Sequence, residues 1–299
     1  MKKRFITSIF IVVITALAVL SKLLPHNIGD YIFDIFTICL TLIASFEICH
    51  LMEKSNKKVN KVFAVFYAIF NYVVALLYLD KVDFSMILVI EFVALLLYFA
   101  IVFIFEVFKN HKLSHRENAR TAFHTMTACI YPAFWFMLLI GVNHMDSYAG
   151  IQYFSLMFIV LIFAVTWLTD TMAFIVGCTL KGPKLAPKIS PNKTISGAIG
   201  GLIGGIGGAM LVFLLMTQVP VLNAILDMHC LVWWHFMLLG AICSVAGQVG
   251  DLFESKLKRK ADIKDTGSLF PGHGGMLDRI DAMIFVTVVI FIAVSLILL

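Results

Sequence analysis

The stretch Ile195–Thr217, with the sequence ISGAIGGLIGGIGGAMLVFLLMT, contains no charged residue. A bilayer core about 30 Å thick is crossed by roughly 20 apolar residues in a helix, so this stretch predicts a membrane span. Its glycines at Gly197, Gly201, Gly205 and Gly208 recur every three or four residues. This small-residue spacing is typical of closely packed membrane helices rather than of a phosphate-binding loop.

The rest of the chain has the same apolar character. Of its 299 residues, 61% are hydrophobic and only 14% are charged, and the mean hydropathy is +0.97. Soluble domains are usually about half apolar and about a quarter charged. The composition therefore excludes an ordinary soluble enzyme, a disordered chain and a protein that binds nucleic acid. Nine stretches qualify as spans: residues 5–24, 31–52, 62–79, 84–108, 121–140, 152–176, 195–217, 231–250 and 280–299.

The charges between these stretches predict an orientation. If the N-terminus lies inside, all of the 23 Lys and Arg residues except Lys22 and Lys81 fall at the inner face. Inner loops of membrane proteins are enriched in Lys and Arg. We therefore expect an all-α polytopic helical bundle, a single domain over residues 1–299, with its N-terminus inside and its C-terminus outside. Residues 1–150 carry few motifs, whereas residues 151–299 carry most of the polar segments.

The N-terminal segment has some features of a secretion signal. Met1–Arg4 is basic, an apolar run follows, and Ala16–Ala18 resembles a cleavage site. The apolar run continues to Leu24, beyond that site. We therefore expect the first span to remain uncleaved.

Three acidic residues lie well inside predicted spans, namely Glu47, Glu91 and Asp170. An ionisable residue in a span is costly and is retained either for a hydrogen bond between helices or for function. The sequence leaves both alternatives open for each of the three.

The last inner loop, residues 251–281, mixes acidic and basic residues. If the eighth span continues as a helix to residue 259, Asp251, Ser255 and Lys258 share one face, and Glu254 is spaced to pair with Lys258. Pro and Gly residues around His273 predict a tight turn there. Asp278 and Asp281 then share the first-turn face of the next helix.

This combination of residue types is suited to the chemistry of phosphates. Carboxylates bind Mg²⁺, and Lys and Arg bind phosphate groups, as phosphoryl or nucleotidyl transfer requires. In an alternative interpretation, the basic residues only fix topology and attract anionic head groups, which leaves the acids among them unexplained. An upstream segment, Ser190–Thr194, either holds a phosphate or forms a solvated turn.

These motifs resemble those of a known family. Ser255–Asp281 resembles the signature of the phosphatidate cytidylyltransferases: Ser-x-Leu-Lys-Arg, four residues, Lys-Asp-x-Gly, two residues, then Phe-Pro-x-His-Gly-Gly-Met-x-Asp-Arg-Ile-Asp. Asp170-Thr171-x-Ala173-Phe174 and Ser190-Pro191-x-Lys193-Thr194 are also similar to family motifs. The family often has an acidic or amide side chain where this chain has Ser196.

The resemblance implies an enzyme that converts CTP and phosphatidic acid into CDP-diacylglycerol and pyrophosphate. It implies an integral protein of the bacterial cell membrane, in contact with membrane lipid, that forms a homodimer and whose site faces the cytoplasm. It also implies dependence on Mg²⁺ and allows a monovalent cation such as K⁺ beside it. By motif position, Asp251 and Asp278 correspond to metal-binding carboxylates, and Lys258 corresponds to a basic residue at that centre.

The remaining site residues are assigned from the same reaction. Asp281 is expected as an additional metal ligand, and His273 is expected to position a phosphate or the leaving group. Candidates for binding substrate phosphates are Ser190, Lys193, Thr194, Arg259, Lys264 and Arg279. Acyl chains are expected to lie between helices and to be reached sideways from the bilayer.

Three other classes of protein fit the sequence less well. A transporter using Asp170, Glu47 and Glu91 predicts paired halves with helix breaks near the membrane centre, and no such halves are seen. A transferase that adds an alcohol to a CDP-lipid crowds several aspartates at four-residue spacing. A lipid-binding scaffold leaves the acids among the lysines unexplained.

Overall fold

The computed structural model describes residues 2–24, 28–78, 86–109, 114–150, 152–220, 223, 231–270 and 274–298, and these residues are mostly helical. The α-helices are α1 (Lys2–Leu20), α2 (Ile28–Lys54), α3 (Lys61–Tyr78), α4 (Ile87–Lys109), α5 (His115–Ala128), α6 (Trp135–Asn143), α7 (Met145–Ala149), α8 (Phe154–Leu180), α9 (Ile195–Gln218), α10 (Trp233–Lys260) and α11 (Leu277–Leu298). A short 3₁₀ turn, Ser21–Leu23, follows α1, and a π-helical segment, Cys129–Phe134, joins α5 to α6.

Seven helices in the described ranges are long and apolar enough to cross a membrane. They are α2, α4, the continuous α5–α6 segment, α8, α9, α10 and α11. The first and third predicted spans overlap two shorter apolar segments, Ile9–Leu23 and Lys61–Leu77. The predicted polytopic helical membrane architecture is thus confirmed, whereas the total of nine crossings and the direction of the termini stay predictions.

A small β-hairpin between α8 and α9 is the one sheet among the described residues of this otherwise all-α fold. Strand β1 (Lys184–Ala186) pairs antiparallel with β2 (Ser190–Thr194), so that Lys184 lies opposite Thr194. Pro residues at 183, 187 and 191 disfavour helix here, since the residue before each proline is driven towards extended backbone. The segment predicted as a loop or turn is therefore a two-stranded sheet.

The glycines of α9 let it approach its neighbours closely. A Cβ atom at Gly197 would lie 2.8 Å from the carbonyl oxygen of Ala173 on α8, and one at Gly205 would lie 2.5 Å from Cβ of Ser244 on α10. Both distances are shorter than the contacts that real Cβ atoms make, so a side chain at either position would push the helices apart. The prediction that these glycines serve helix packing is confirmed, and the packing sets α8, α9 and α10 side by side.

A group of polar side chains is buried where α2 begins and α6 ends. Asp34 is completely buried and accepts hydrogen bonds from Asn143 Nδ2 and His144 Nε2, both at 2.8 Å, and from the Tyr72 hydroxyl at 3.3 Å. Lys22, one of the two basic residues outside the predicted inner segments, donates to the carbonyl oxygen of Asn143 at 2.8 Å. We call these residues the Asp34 cluster. It fastens the first two helices to α6.

Candidate active site

The C-terminal end of α10 carries the predicted polar face. The Ser255 hydroxyl donates to Asp251 Oδ1 at 3.3 Å, and Lys258 Nζ lies 2.6 Å from Glu254 Oε2. The predicted pairing of Glu254 with Lys258 is therefore confirmed. The Glu254 side chain is completely buried, and its contact with Nζ holds the lysine in place.

Lys258 also connects α10 to α11. Its Nζ donates to Asp278 Oδ1 at 2.7 Å. The other oxygen of Asp278 accepts hydrogen bonds from the backbone N–H groups of Thr266 and Gly275, at 3.0 and 2.7 Å, and from the Thr266 hydroxyl at 3.0 Å. Gly274 has a φ of +82°, and a Cβ there would collide with the Asp278 carboxylate, so glycine is required. Asp278 thus fixes the preceding loop and orients Lys258 at once.

The β-hairpin brings a second lysine to α10. Lys193, on β2, forms an ion pair with Asp251. Arg259 Nε donates to the carbonyl oxygen of Ile189 at 3.1 Å, which ties the hairpin to the same helix. The Thr194 hydroxyl accepts from the N–H of Gly197 at 3.0 Å and so caps α9. Thr194 therefore has a structural contact, and Lys193 is the hairpin side chain that reaches the acids.

A cavity of about 540 Å³ opens beside this ion pair. Asp170, Lys193, Gln248 and Asp251 contribute its polar lining. Asp170 is close enough to Asp251, Lys193 and Arg279 to interact electrostatically with each. Of the two alternatives left open for Asp170, this position favours function, because the carboxylate faces a cavity beside other charged groups. Gln248 belongs to none of the sequence motifs, so it could not be selected before the structure was known.

Asp281 and Tyr131 complete the polar region. Asp281 is 8% exposed, and its carboxylate interacts electrostatically with Asp251 and Asp170. Tyr131 packs against the ring of Phe253 with centroids 5.0 Å apart, and its buried hydroxyl has no hydrogen-bond partner among the described residues. Tyr131 is not among the sequence-predicted site residues, because its only distinguishing feature in the sequence is the proline that follows it. In the structure, the π-helical segment around Pro132 gives Tyr131 non-helical backbone angles.

Other predicted site residues lie apart from these contacts. Lys264 is exposed and forms no ion pair within the described ranges. Ser190 begins β2 opposite Ala186, so its backbone serves the hairpin. His273 lies outside the described residues. Arg279 is exposed and lines a different cavity, although it lies within electrostatic reach of Asp170.

This second cavity, of about 530 Å³, runs along α1, α2, α8 and α11. Its walls are mostly apolar, including Phe10, Phe36, Trp167 and Met283. Arg279 is the one charged side chain among its described lining residues. An apolar groove with a cation at one end is suited to an amphipathic molecule with an anionic head.

The acidic residues of this region are suited to one mode of metal binding. Within the described part of the chain, no three His, Cys, Asp or Glu side chains are grouped so that they could hold one. Mg²⁺, however, is usually bound by one or two carboxylates together with substrate phosphates. Asp251, Asp278 and Asp281 are hard oxygen donors in one region, so the residues present fit this mode of binding.

Comparison with known proteins agrees with the resemblance that the sequence motifs indicate. The model of the "Cytidylyltransferase family" matches residues 2–297. The chain is 33% identical over 159 residues to "Phosphatidate cytidylyltransferase" of Bacillus subtilis (strain 168), covering 53% of each chain. It is 41% identical over 143 residues to the protein of that name from Brucella abortus (strain 9-941), covering 48% of each. For Rickettsia conorii the identity is 42% over 134 residues, covering 45% of this chain and 56% of the relative. The chain thus spans about half the length of the curated relatives it matches.

Proposed function

Because the chain belongs to the cytidylyltransferase family, we propose that it transfers the cytidylyl group of CTP to phosphatidic acid, forming CDP-diacylglycerol and pyrophosphate for phospholipid synthesis. Relatives named "Phosphatidate cytidylyltransferase" support the proposal. The observation that carries it is a pair of lysine–aspartate contacts. Lys193 and Asp251 line a cavity of about 540 Å³, and Lys258, two turns further along the helix of Asp251, contacts Asp278.

The proposed reaction needs charge compensation more than proton transfer. A phosphate oxygen of phosphatidic acid attacks the α-phosphorus of CTP, the bond to the β-phosphate breaks, and pyrophosphate leaves with the electron pair. The nucleophile is already anionic, so no strong general base is required. Lys193 lines the cavity and can bind phosphate, while Lys258 is held by Glu254 and Asp278 at the border of the acidic region. Fixed cations of this kind stabilise charge that develops in a transition state.

We further propose that Asp251 and Asp278 hold Mg²⁺, with Asp281 beside them. When bound, the ion neutralises charge on the transferring phosphate, and a monovalent cation such as K⁺ can accompany it. Both aspartates are paired with lysines, so their carboxylates are held in fixed orientations. Chelation with excess EDTA is expected to abolish turnover, and added Mg²⁺ is expected to restore it.

The apolar groove is proposed to hold an acyl chain of phosphatidic acid. Arg279, its charged lining residue, would bind the lipid phosphate. Arg279 also interacts electrostatically with Asp170, which lines the cavity beside Asp251. The arginine therefore lies between a lipid-like groove and the proposed nucleotide cavity, where the two substrates must meet.

The finer topology is part of the proposal: nine crossings, an inner N-terminus, an outer C-terminus and a site that faces the cytoplasm of a bacterial cell. The bias of basic residues supports this orientation. Single cysteines at Lys57, Lys188 and Lys264 should be protected from an impermeant reagent in intact cells, whereas one at Asp146 should react. Labelling at position 264 from outside would contradict a cytoplasmic site. A homodimer is likewise proposed, and the mass of the detergent-solubilised protein tests it.

One assay tests the activity directly. Purified protein is incubated with CTP and phosphatidic acid, and CDP-lipid and pyrophosphate are measured together. Equal amounts of the two products are expected. Solute transport by reconstituted protein, with no CDP-lipid formed, would instead favour a transporter.

A further inference from the structure

Glu47 lies in the N-terminal part of the chain, yet its side chain contacts residues next to Asp278 in the candidate site. It lies in the second half of α2, and its side chain is buried, with the residue 6% exposed. Its carboxylate accepts hydrogen bonds from the backbone N–H groups of Met276 and Leu277, at 3.0 and 2.8 Å, and from the Thr266 hydroxyl at 3.1 Å. All three donors belong to the loop before α11 or to the start of that helix.

The nearby sequence leaves space for this carboxylate. A Cβ atom at Gly267 or at Gly275 would collide with the carboxylate of Glu47. Neither glycine has a positive φ, so backbone conformation does not explain them. Two glycines of the signature therefore leave room for a glutamate more than two hundred residues earlier in the chain.

The charge of Glu47 is balanced without a basic side chain among the described residues. The first N–H groups of a helix have no partner within the helix, and its N-terminus carries a partial positive charge. Met276 and Leu277 supply such groups at the start of α11. These donors, together with the Thr266 hydroxyl, satisfy the buried carboxylate, and all of them belong to residues that adjoin Asp278 or contact it.

Thr266 connects Glu47 to Asp278. Its hydroxyl oxygen lies 3.1 Å from Glu47 Oε2 and 3.0 Å from Asp278 Oδ2, and it has only one proton to share between them. The backbone N–H of Thr266 also donates to Asp278. Glu47 therefore fixes the residues that orient Asp278, and Asp278 orients Lys258.

We propose that Glu47 is a positioning residue for the metal site, which it serves by holding Thr266, Met276 and Leu277 so that Asp278 faces Lys258. This inference rests on the proposed function. The alternative is that Glu47 only caps α11 and stabilises the fold. The two roles differ in what a substitution changes: positioning affects metal binding and turnover, whereas a simple cap affects unfolding.

The main test is Glu47→Gln, which keeps the volume but removes the charge and turns an amide group towards the donors. We expect turnover to fall at least tenfold and the Mg²⁺ concentration for half-maximal rate to rise at least tenfold. Binding of Mn²⁺ in the presence of CTP, followed by electron paramagnetic resonance, should weaken similarly. Glu53→Gln is the matched control on the same helix, since Glu53 pairs with the exposed Lys61, and it should change none of these values.

Thr266 provides variants that do not alter α2. Thr266→Val should reproduce the loss of Mn²⁺ binding, and Thr266→Ser, which keeps the hydroxyl, should restore it. Because both residues act through one contact, combining Glu47→Gln with Thr266→Val should cost less than the product of the single losses. These variants decide the question even if Glu47→Gln fails to fold.

The outcomes separate this inference from the proposed function. Wild-type protein that binds Mn²⁺ but forms no CDP-lipid would refute the activity, and weaker Mn²⁺ binding in Glu47→Gln would still support positioning. Normal turnover and normal Mn²⁺ binding in Glu47→Gln, with only a lower Tm, would overturn it in favour of a cap. A wild-type protein that binds no Mn²⁺ would overturn it as well.

Discussion

Two regions of the molecule hold buried or half-buried aspartates, and their surroundings differ. Asp34 is completely buried, and an asparagine, a histidine and a tyrosine all donate to it. The Asp251 side chain is 31% exposed, lines a cavity and lies near two further carboxylates, Asp170 and Asp281. Satisfied burial among donors that lie outside the candidate site indicates a structural role, whereas like charges grouped at a cavity indicate ligand binding. The groups that surround an acidic residue in a span therefore indicate whether its role is structural or functional.

The largest expected effect lies at the cavity. Asp251→Asn should reduce CDP-lipid formation at least a hundredfold with normal membrane yield, because loss of metal charge at a transferring phosphate costs several kcal/mol, at about 1.4 kcal/mol per factor of ten. Asp278→Asn and the double variant should lose about as much, since residues that act as a unit are not additive. Rates measured against Mg²⁺ concentration provide the test.

The matched control for these variants is Asp262→Asn. Asp262 is exposed at a φ of +54°, a conformation that asparagine tolerates well, so most activity should remain. Wild-type metal dependence in Asp278→Asn would remove that residue from the site.

A substitution in the Asp34 cluster should lower stability and leave the activity of the folded protein largely unchanged. Asp34→Ala leaves donors of Asn143 and His144 without their acceptor, which costs about 1–3 kcal/mol per unsatisfied buried group. We expect a lower Tm in detergent and a lower yield, with the rate per folded molecule within about twofold of wild type. A large fall in that rate with an unchanged Tm would break the comparison.

A packing effect of similar or smaller size is expected along α9. A Cβ at Gly204 would overlap the carbonyl oxygen of Leu168, whereas one at Gly207 would meet nothing within 4 Å. Gly204→Ala should therefore lower stability by about 1–3 kcal/mol through overpacking. Gly207→Ala should be neutral or stabilising by up to about 1 kcal/mol, because alanine favours helix. Thermal unfolding of both variants measures the difference, and equal shifts would contradict close packing.

The smallest effect is expected for an exposed ion pair. Glu53 and Lys61 are 2.7 Å apart with 39% of each side chain exposed. Such pairs contribute less than about 1 kcal/mol, so Glu53→Gln should leave both Tm and rate nearly unchanged. A marked loss in either measurement would show that exposure alone does not separate structural from functional charges here.

Much of this architecture was predictable because simple physical limits act on local sequence. Bilayer thickness sets the length of the spans, and helical periodicity placed Asp251, Ser255 and Lys258 on one face. The hairpin at residues 184–194 escaped prediction because its strands are short and rich in proline. The contact between Glu47 and Thr266 joins residues 219 positions apart, and one sequence carries no pattern for so distant a pairing.

The contact between Glu47 and the start of α11 has a consequence for biogenesis. Chains are synthesised from the N-terminus, so α2 leaves the ribosome long before residues 266–277 exist. Until then, the carboxylate of Glu47 lacks the donors that it has in the finished protein. Docking of the last helix supplies them and, in the same step, aligns Asp278 with Lys258. Docking of α11 and formation of the candidate site are thus one event, and a nascent chain that stops short of α11 lacks both.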